Sequence, residues 1–244
     1  MRALTETQFD TILERMRAQV SSWHAADDRR AIFLDCYSRM TANMLGAFGA
    51  GKFLDDAWVR MLLRVFAGHY FSALEDWERQ RSGAPPAWGI AFEAARSPAT
   101  WITRDLLLGV NAHINYDLAL AVRELLQDDW ADMDESARLC RFIDFSNVNA
   151  VIGATIDEVQ DEVLGPFNRL LVVADKALGP LDEWLISRLV SHWRDRVWRH
   201  AVQLLEAPDP ESFEQVRAQV ESSALALAQA ILGHSGPLSA LKLV

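Results

Sequence analysis

The segment Gly109-Val110-Asn111-Ala112-His113-Ile114-Asn115-Tyr116-Asp117-Leu118 sets an imidazole, a carboxylate and two carboxamides inside an otherwise apolar stretch. Polar groups lose hydration on burial and cost about 1–3 kcal/mol each when left without partners, more for a charge. Four of them within seven residues therefore belong to a polar network or to a site. His113 and Asp117 stand at i and i+4, neighbours on one helical face. A carboxylate beside an imidazole fixes its tautomer and favours its protonated form, while burial opposes that charge. The pair suits acid–base chemistry, with His113 moving the proton and Asp117 orienting the ring. It also suits a divalent metal, with both as ligands or with Asp117 behind the imidazole. A structural hydrogen bond that fixes helix register is the third option.

Other polar residues interrupt apolar runs elsewhere. Asp144 and Asn147 stand at i and i+3, Arg196 and His200 lie near Trp193 and Trp198, and His69 precedes Tyr70. Asn111, Asn115, Tyr70, Asp144, Asn147 and Arg196 are the expected supporting or substrate-binding groups around His113 and Asp117. Gly109, on the same side as His113, leaves room for a ligand or a neighbouring helix. A metal version of the site would take its third ligand from Asp144, His69 or His200. The metal-free version is preferred, because only two ligands have local spacing, and the sequence requires no cofactor.

The motif must be positioned by a helix running over about 98–127. On a helical wheel, Ile102, Leu106, Gly109, Val110, Asp117 and Leu120 fall on the side of His113. Asn111 and Asn115 lie nearly opposite, with Leu108, Leu118, Val122 and Leu126. A narrow strip through Asp105, Ala112, Tyr116, Ala119 and Arg123 is left to face water. A helix apolar over most of its circumference is a buried, central one.

The surrounding elements are marked by caps and prolines. A capping box at Thr5 and Gln8 precedes Phe9, Ile12, Leu13 and Met16 at helical spacing. Further helices are expected over 27–44, from Asp55 or Asp56 up to Ser82-Gly83-Ala84-Pro85-Pro86, and over 136–164, 166–178, 180–206 and 210–232. A short helical turn surrounds Phe92, and 233–244 is a C-terminal tail. No convincing strand and no fixed-period repeat is present. The expected fold is all-α: one domain over 1–244, a bundle of about eight helices around the buried 98–127 helix.

Half of the 244 residues are hydrophobic and a quarter charged, with nine Trp and eleven Phe to fill a core. A net charge of −10 disfavours nucleic acid as a partner. No apolar run reaches the ~18–20 residues of a membrane span, and the first residues lack a signal-peptide core, so a cytoplasmic location with no membrane partner is expected. Cys36 and Cys140 read as reduced core thiols. Asp128-Asp129-Trp130-Ala131-Asp132 matches the DDxxD pattern of isoprenoid synthases, but no partner motif appears over 147–162 and a solvated turn of capping acids fits better. Glu-x-x-His, His-Glu-x-x-His, Gly-x-Ser-x-Gly and the Walker loop are absent.

The run Gly109-x-Asn111-Ala112-His113-Ile114-Asn115-x-Asp117-Leu118 resembles the signature of an uncharacterised family, numbered 5995 among the domains of unknown function. Arg29-Arg30-Ala31-Ile32-Phe33 with Tyr37, Phe66…Tyr70-Phe71-x-Ala73-Leu74, Asp144…Asn147 and Arg196-x-Trp198-x-x-Ala201 are similar to it as well. The resemblance spans most of the chain and implies a one-domain helical protein without supplying a reaction. Side-chain chemistry leads to a cytoplasmic helical enzyme acting on a small apolar or aromatic molecule through His113 and Asp117. The alternative is a non-catalytic ligand- or partner-binding helical protein whose buried His, Asp and Asn residues form a structural network. The sequence sets no oligomeric state.

Overall fold

The computed structural model describes residues 6–97, 102–159 and 180–233. In chain order the helices are α1 (Glu6–Ala25), α2 (Arg30–Ala47), α3 (Asp56–Arg79), α4 (Pro86–Ala95), α5 (Ile102–Asn111), α6 (Leu118–Leu126), α7 (Glu135–Val159), α8 (Pro180–Leu205) and α9 (Pro210–Gly233). A π-helical turn, Ala112–Asp117, joins α5 to α6 into one interrupted helix, and short 3-10 turns occupy Arg81–Gly83 and Trp130–Asp132. Among the described residues there is no strand, so the fold is an all-α bundle. The expected 166–178 helix, Thr5 of the capping box and the tail beyond Gly233 lie outside the described residues.

Most helix starts have a local chemical cause. The Asp28 carboxylate accepts the Arg30 backbone N–H at 3.0 Å, just after Asp27 turns the chain with φ of 54°. Asp55 caps α3 by accepting the Trp58 N–H at 3.0 Å, and Asp209 accepts the Ser212 N–H at 2.7 Å at the start of α9. Helix α4 is longer than the turn expected around Phe92, because Pro86 opens it at the first helical position. Its fixed φ and missing N–H suit that place, so the second proline starts a helix instead of only ending a loop. Asp128, Asp129 and Asp132 are exposed around the turn that buries Trp130, as solvated acids.

Helices α5 and α6 run through one contiguous apolar core. They meet α2, α3, α4, α8 and α9 along their length. The strip expected to face water is covered: Asp105, Ala112, Tyr116 and Ala119 are all buried. Helix α9 supplies part of that cover, with the Arg123 guanidinium 4.8 Å from the centre of the Phe213 ring. Arg29 supplies another part, pairing with the Asp105 carboxylate at 2.5 Å. Gly109 makes room for a helix: a Cβ there would stand 2.6 Å from Cγ of Phe33 on α2. Cys36 and Cys140 are free and half-buried. Among the described residues no helix is long and apolar enough to cross a membrane.

Candidate functional site

The motif residues sit on the π turn. The Leu118 N–H bonds back to the His113 carbonyl, five residues earlier, which adds a residue to the turn and shifts everything after it around the axis. On one side, His113 Nδ1 lies 3.2 Å from Asp117 Oδ2. The same oxygen accepts the Trp88 Nε1–H at 2.9 Å. Phe66 stacks flat on the imidazole, with centroids 3.5 Å apart and planes 6° from parallel. Tyr37 meets it edgewise at 4.3 Å, and Phe33, Trp88 and Tyr70 complete the enclosure at 5.6, 6.1 and 6.3 Å.

This enclosure decides the protonation state. Burial pushes the Asp117 carboxyl well above the usual carboxylate range, and the Trp88 donor only partly opposes it. Burial also holds His113 well below the usual imidazole range, with His69 adding to the effect. Both shifts favour a neutral pair over a carboxylate–imidazolium one. His113 Nε2 and the Tyr70 hydroxyl are buried without a hydrogen-bond partner.

Asn111 and Asn115 leave the helix on another side and make a directed relay. Asn111 Nδ2 donates to the Ala224 carbonyl on α9 at 2.9 Å. That carbonyl can only accept, so the Asn111 amide orientation is set and its Oδ1 takes the Asn115 Nδ2–H at 3.0 Å. Asn115 is left with a buried, unpartnered Oδ1. This residue lines a cleft of about 410 Å³ with His192, Trp193, Arg196 and His200 of α8 and Ser223, Leu227 and Ala230 of α9. Trp193 Nε1 is likewise buried and unpartnered. Asn115 and Trp193 are 7% and 2% exposed, whereas His192 and Ser223 are at the solvent-facing rim. Arg194, between Trp193 and Arg196 in sequence, holds this wall in place by donating to the Phe145 carbonyl at 2.5 Å and to Asn149 Oδ1 at 2.7 Å on α7.

The expected site residues thus divide into three places. His113, Asp117 and Tyr70 share the aromatic enclosure, while Asn115, Arg196 and His200 share the cleft. Asp144 and Asn147 belong to neither. The fully buried Asp144 carboxylate accepts the Leu54 and Asp55 backbone N–H groups at 2.6 and 2.9 Å, and Asn147 donates to the Lys52 carbonyl at 3.1 Å. With Arg141 on Asp55 at 2.7 Å, they clamp the loop that opens α3. His69 Nε2 pairs with Glu124 at 3.0 Å. The possible third metal ligands therefore diverge, and among the described residues no three His, Cys, Asp or Glu side chains gather as a metal ion needs. Trp88 was not apparent from the sequence as the partner of Asp117, although an indole N–H in a buried helix needs an acceptor. His192 and Ser223 carried no local signal, since the cleft forms only where three elements meet.

The family described as "Family of unknown function (DUF5995)" matches residues 9–234, and the chain belongs to it. No curated protein and no solved structure matches.

Proposed function

We propose that this member of an uncharacterised helical family binds a small polar molecule in the cleft between the π turn, α8 and α9. In this reading the His113–Asp117–Trp88 cluster is a structural knot that fixes the turn presenting Asn115. One observation carries it: two buried polar atoms without partners, Asn115 Oδ1 and Trp193 Nε1, belong to residues lining the same cleft. Each such atom costs about 1–3 kcal/mol until paired. A ligand with one donor and one acceptor recovers that free energy on binding. The volume is at the lower end of the range for small-molecule sites.

The test is a thermal-shift screen of small polar compounds on the full chain, beside the variant Ala230→Trp, which fills the cleft without replacing either residue that carries an orphaned atom. Compounds that raise the melting midpoint of the native chain should have no effect on the variant. Equal shifts in both proteins would overturn the reading. So would an experimental structure in which ordered water pairs both atoms, together with no compound giving a shift. A second reading, acid–base chemistry at His113 with Asp117 as its orienting group, is favoured by the unpartnered Nε2 and the unpartnered Tyr70 hydroxyl in the same aromatic enclosure. It requires Phe66 or Tyr37 to swing away from the ring, and it predicts that His113→Gln abolishes turnover while leaving ligand binding intact.

A further inference from the structure

The chemistry of the cleft walls narrows the ligand. Five of the lining residues offer hydrogen-bond donors: Trp193, Arg196, His192, His200 and Ser223. Among the described residues no Asp or Glu lines the cleft, although the chain carries a net charge of −10. Arg196 has no ion-pair partner among the described residues. Its planar fork of N–H groups matches a carboxylate in geometry. Against these donors stands one buried acceptor, Asn115 Oδ1, whose orientation the Asn111–Ala224 relay dictates. Leu227, Ala230 and the Trp193 ring provide apolar wall between the two ends.

We propose that the cleft selects a small organic acid with a single carboxylate and a hydroxyl or amino hydrogen of its own. Arg196 and Trp193 Nε1 receive the carboxylate, and Asn115 Oδ1 accepts the ligand's hydrogen. This inference rests on the ligand-binding reading above and adds the charge and the donor to it. A single negative charge fits better than a phosphate dianion. Arg196 is the cleft's permanent cation, and burial together with Arg196 and Arg199 holds His200 below the usual imidazole range. A dianion would be left half-neutralised in a partly desolvated site.

The experiment is isothermal titration of the full chain with four probes: para-hydroxybenzoate, benzoate, methyl para-hydroxybenzoate and phenyl phosphate. Each is repeated on Arg196→Gln and Ala230→Trp, with melting curves confirming that both variants are folded. The hydroxy acid should bind tightest. Esterifying its carboxylate or replacing Arg196 should each weaken binding about ten- to a hundredfold, the range of one hydrogen bond to a charged group, and removing its hydroxyl, which loses a bond between neutral groups, about two- to tenfold. In Arg196→Gln the acid and its ester should bind alike. If the ester or phenyl phosphate binds the native chain as tightly as the hydroxy acid, and Ala230→Trp still abolishes binding, the charge assignment is wrong and the cleft stands. Benzoate binding as well as its hydroxylated partner overturns the role of Asn115 Oδ1. Binding that survives Ala230→Trp, or no binding of any probe at millimolar concentration, overturns both the inference and the reading beneath it.

Discussion

Replacing Asp117 by Asn removes one titrating group while keeping its shape, and burial determines the sign of the result. In the native state Asp117 holds its proton well above 3.8, whereas the unfolded chain releases it near that value. Between the two, the native state binds more protons than the unfolded chain. Stabilisation present below pH 3.8 is therefore lost as pH rises toward the native value. The loss is about 1.4 kcal/mol per pH unit. His113 acts in the opposite sense: its native value lies below 6.5, so its contribution grows as pH rises to 6.5. That term cancels in their difference while Asp117 is protonated, because the ring then has an uncharged neighbour in both proteins. The Asn carbonyl can accept both the Trp88 Nε1–H and an Nδ1–H tautomer of His113, so neither bond need be lost. The stability of Asp117→Asn relative to the native protein should therefore rise as pH climbs above 3.8, with a slope of at most about 1.4 kcal/mol per pH unit until the native carboxyl ionises. Urea unfolding at half-unit steps of pH and constant ionic strength measures this directly. A flat difference between about pH 4.5 and 6.5 would refute the neutral pair and fit a carboxylate–imidazolium pair, which binds the same protons as the unfolded chain across that window.

Two further substitutions test the scaffold around the site. Gly109→Ala gains about 1 kcal/mol of helix propensity, but its Cβ would stand 2.6 Å from Phe33 Cγ. Overpacking of that kind costs about 1–3 kcal/mol, so the variant should unfold at lower urea, and Phe33→Leu added to it should return part of the loss. A more stable Gly109→Ala would show that Phe33 has room to move. Asp144→Ala strips two backbone N–H groups of their acceptor and should cost about 2–4 kcal/mol. Hydrogen exchange at Leu54 and Asp55 should quicken with it, and unchanged exchange at those two amides would contradict the clamp.

How much of this was legible from the residues depended on whether the cause was local. Asp55, Pro180 and Pro210 mark helix starts through caps and fixed φ angles, and the structure begins helices at or next to each. The burial of the helix carrying His113 followed from its apolar circumference. Its wet strip did not survive, because a wheel cannot foresee that Arg29 and α9 come across from distant parts of the chain to cover Asp105 and Tyr116. The π turn is invisible to a wheel drawn at constant pitch, and nothing in Ala112–Asp117 announces it. Asp144 and Asn147 stood out correctly as polar residues in an apolar run, but their partners are backbone groups of the loop before α3, which no side-chain pattern reveals. The cleft brings together residues from the π turn, α8 and α9, so its half-buried Arg196 and His200 were recognisable while its rim was not.

The clamp on the loop before α3 also sets an order of events along the chain. Asp144 is separated from Leu54 by 90 residues, and Asn147 from Lys52 by 95. Closing loops of that size comes before any contact repays their entropy, and topologies rich in such closures fold slowly. Until α7 has been synthesised and docks, the amides of Leu54 and Asp55 have only water to bond. Helix α3 carries Phe66 and Tyr70, so the walls around His113 hang from an element whose entry loop is held by residues far along the chain. A nascent chain that ends before residue 144 holds the motif but not the clasp that seats its enclosure.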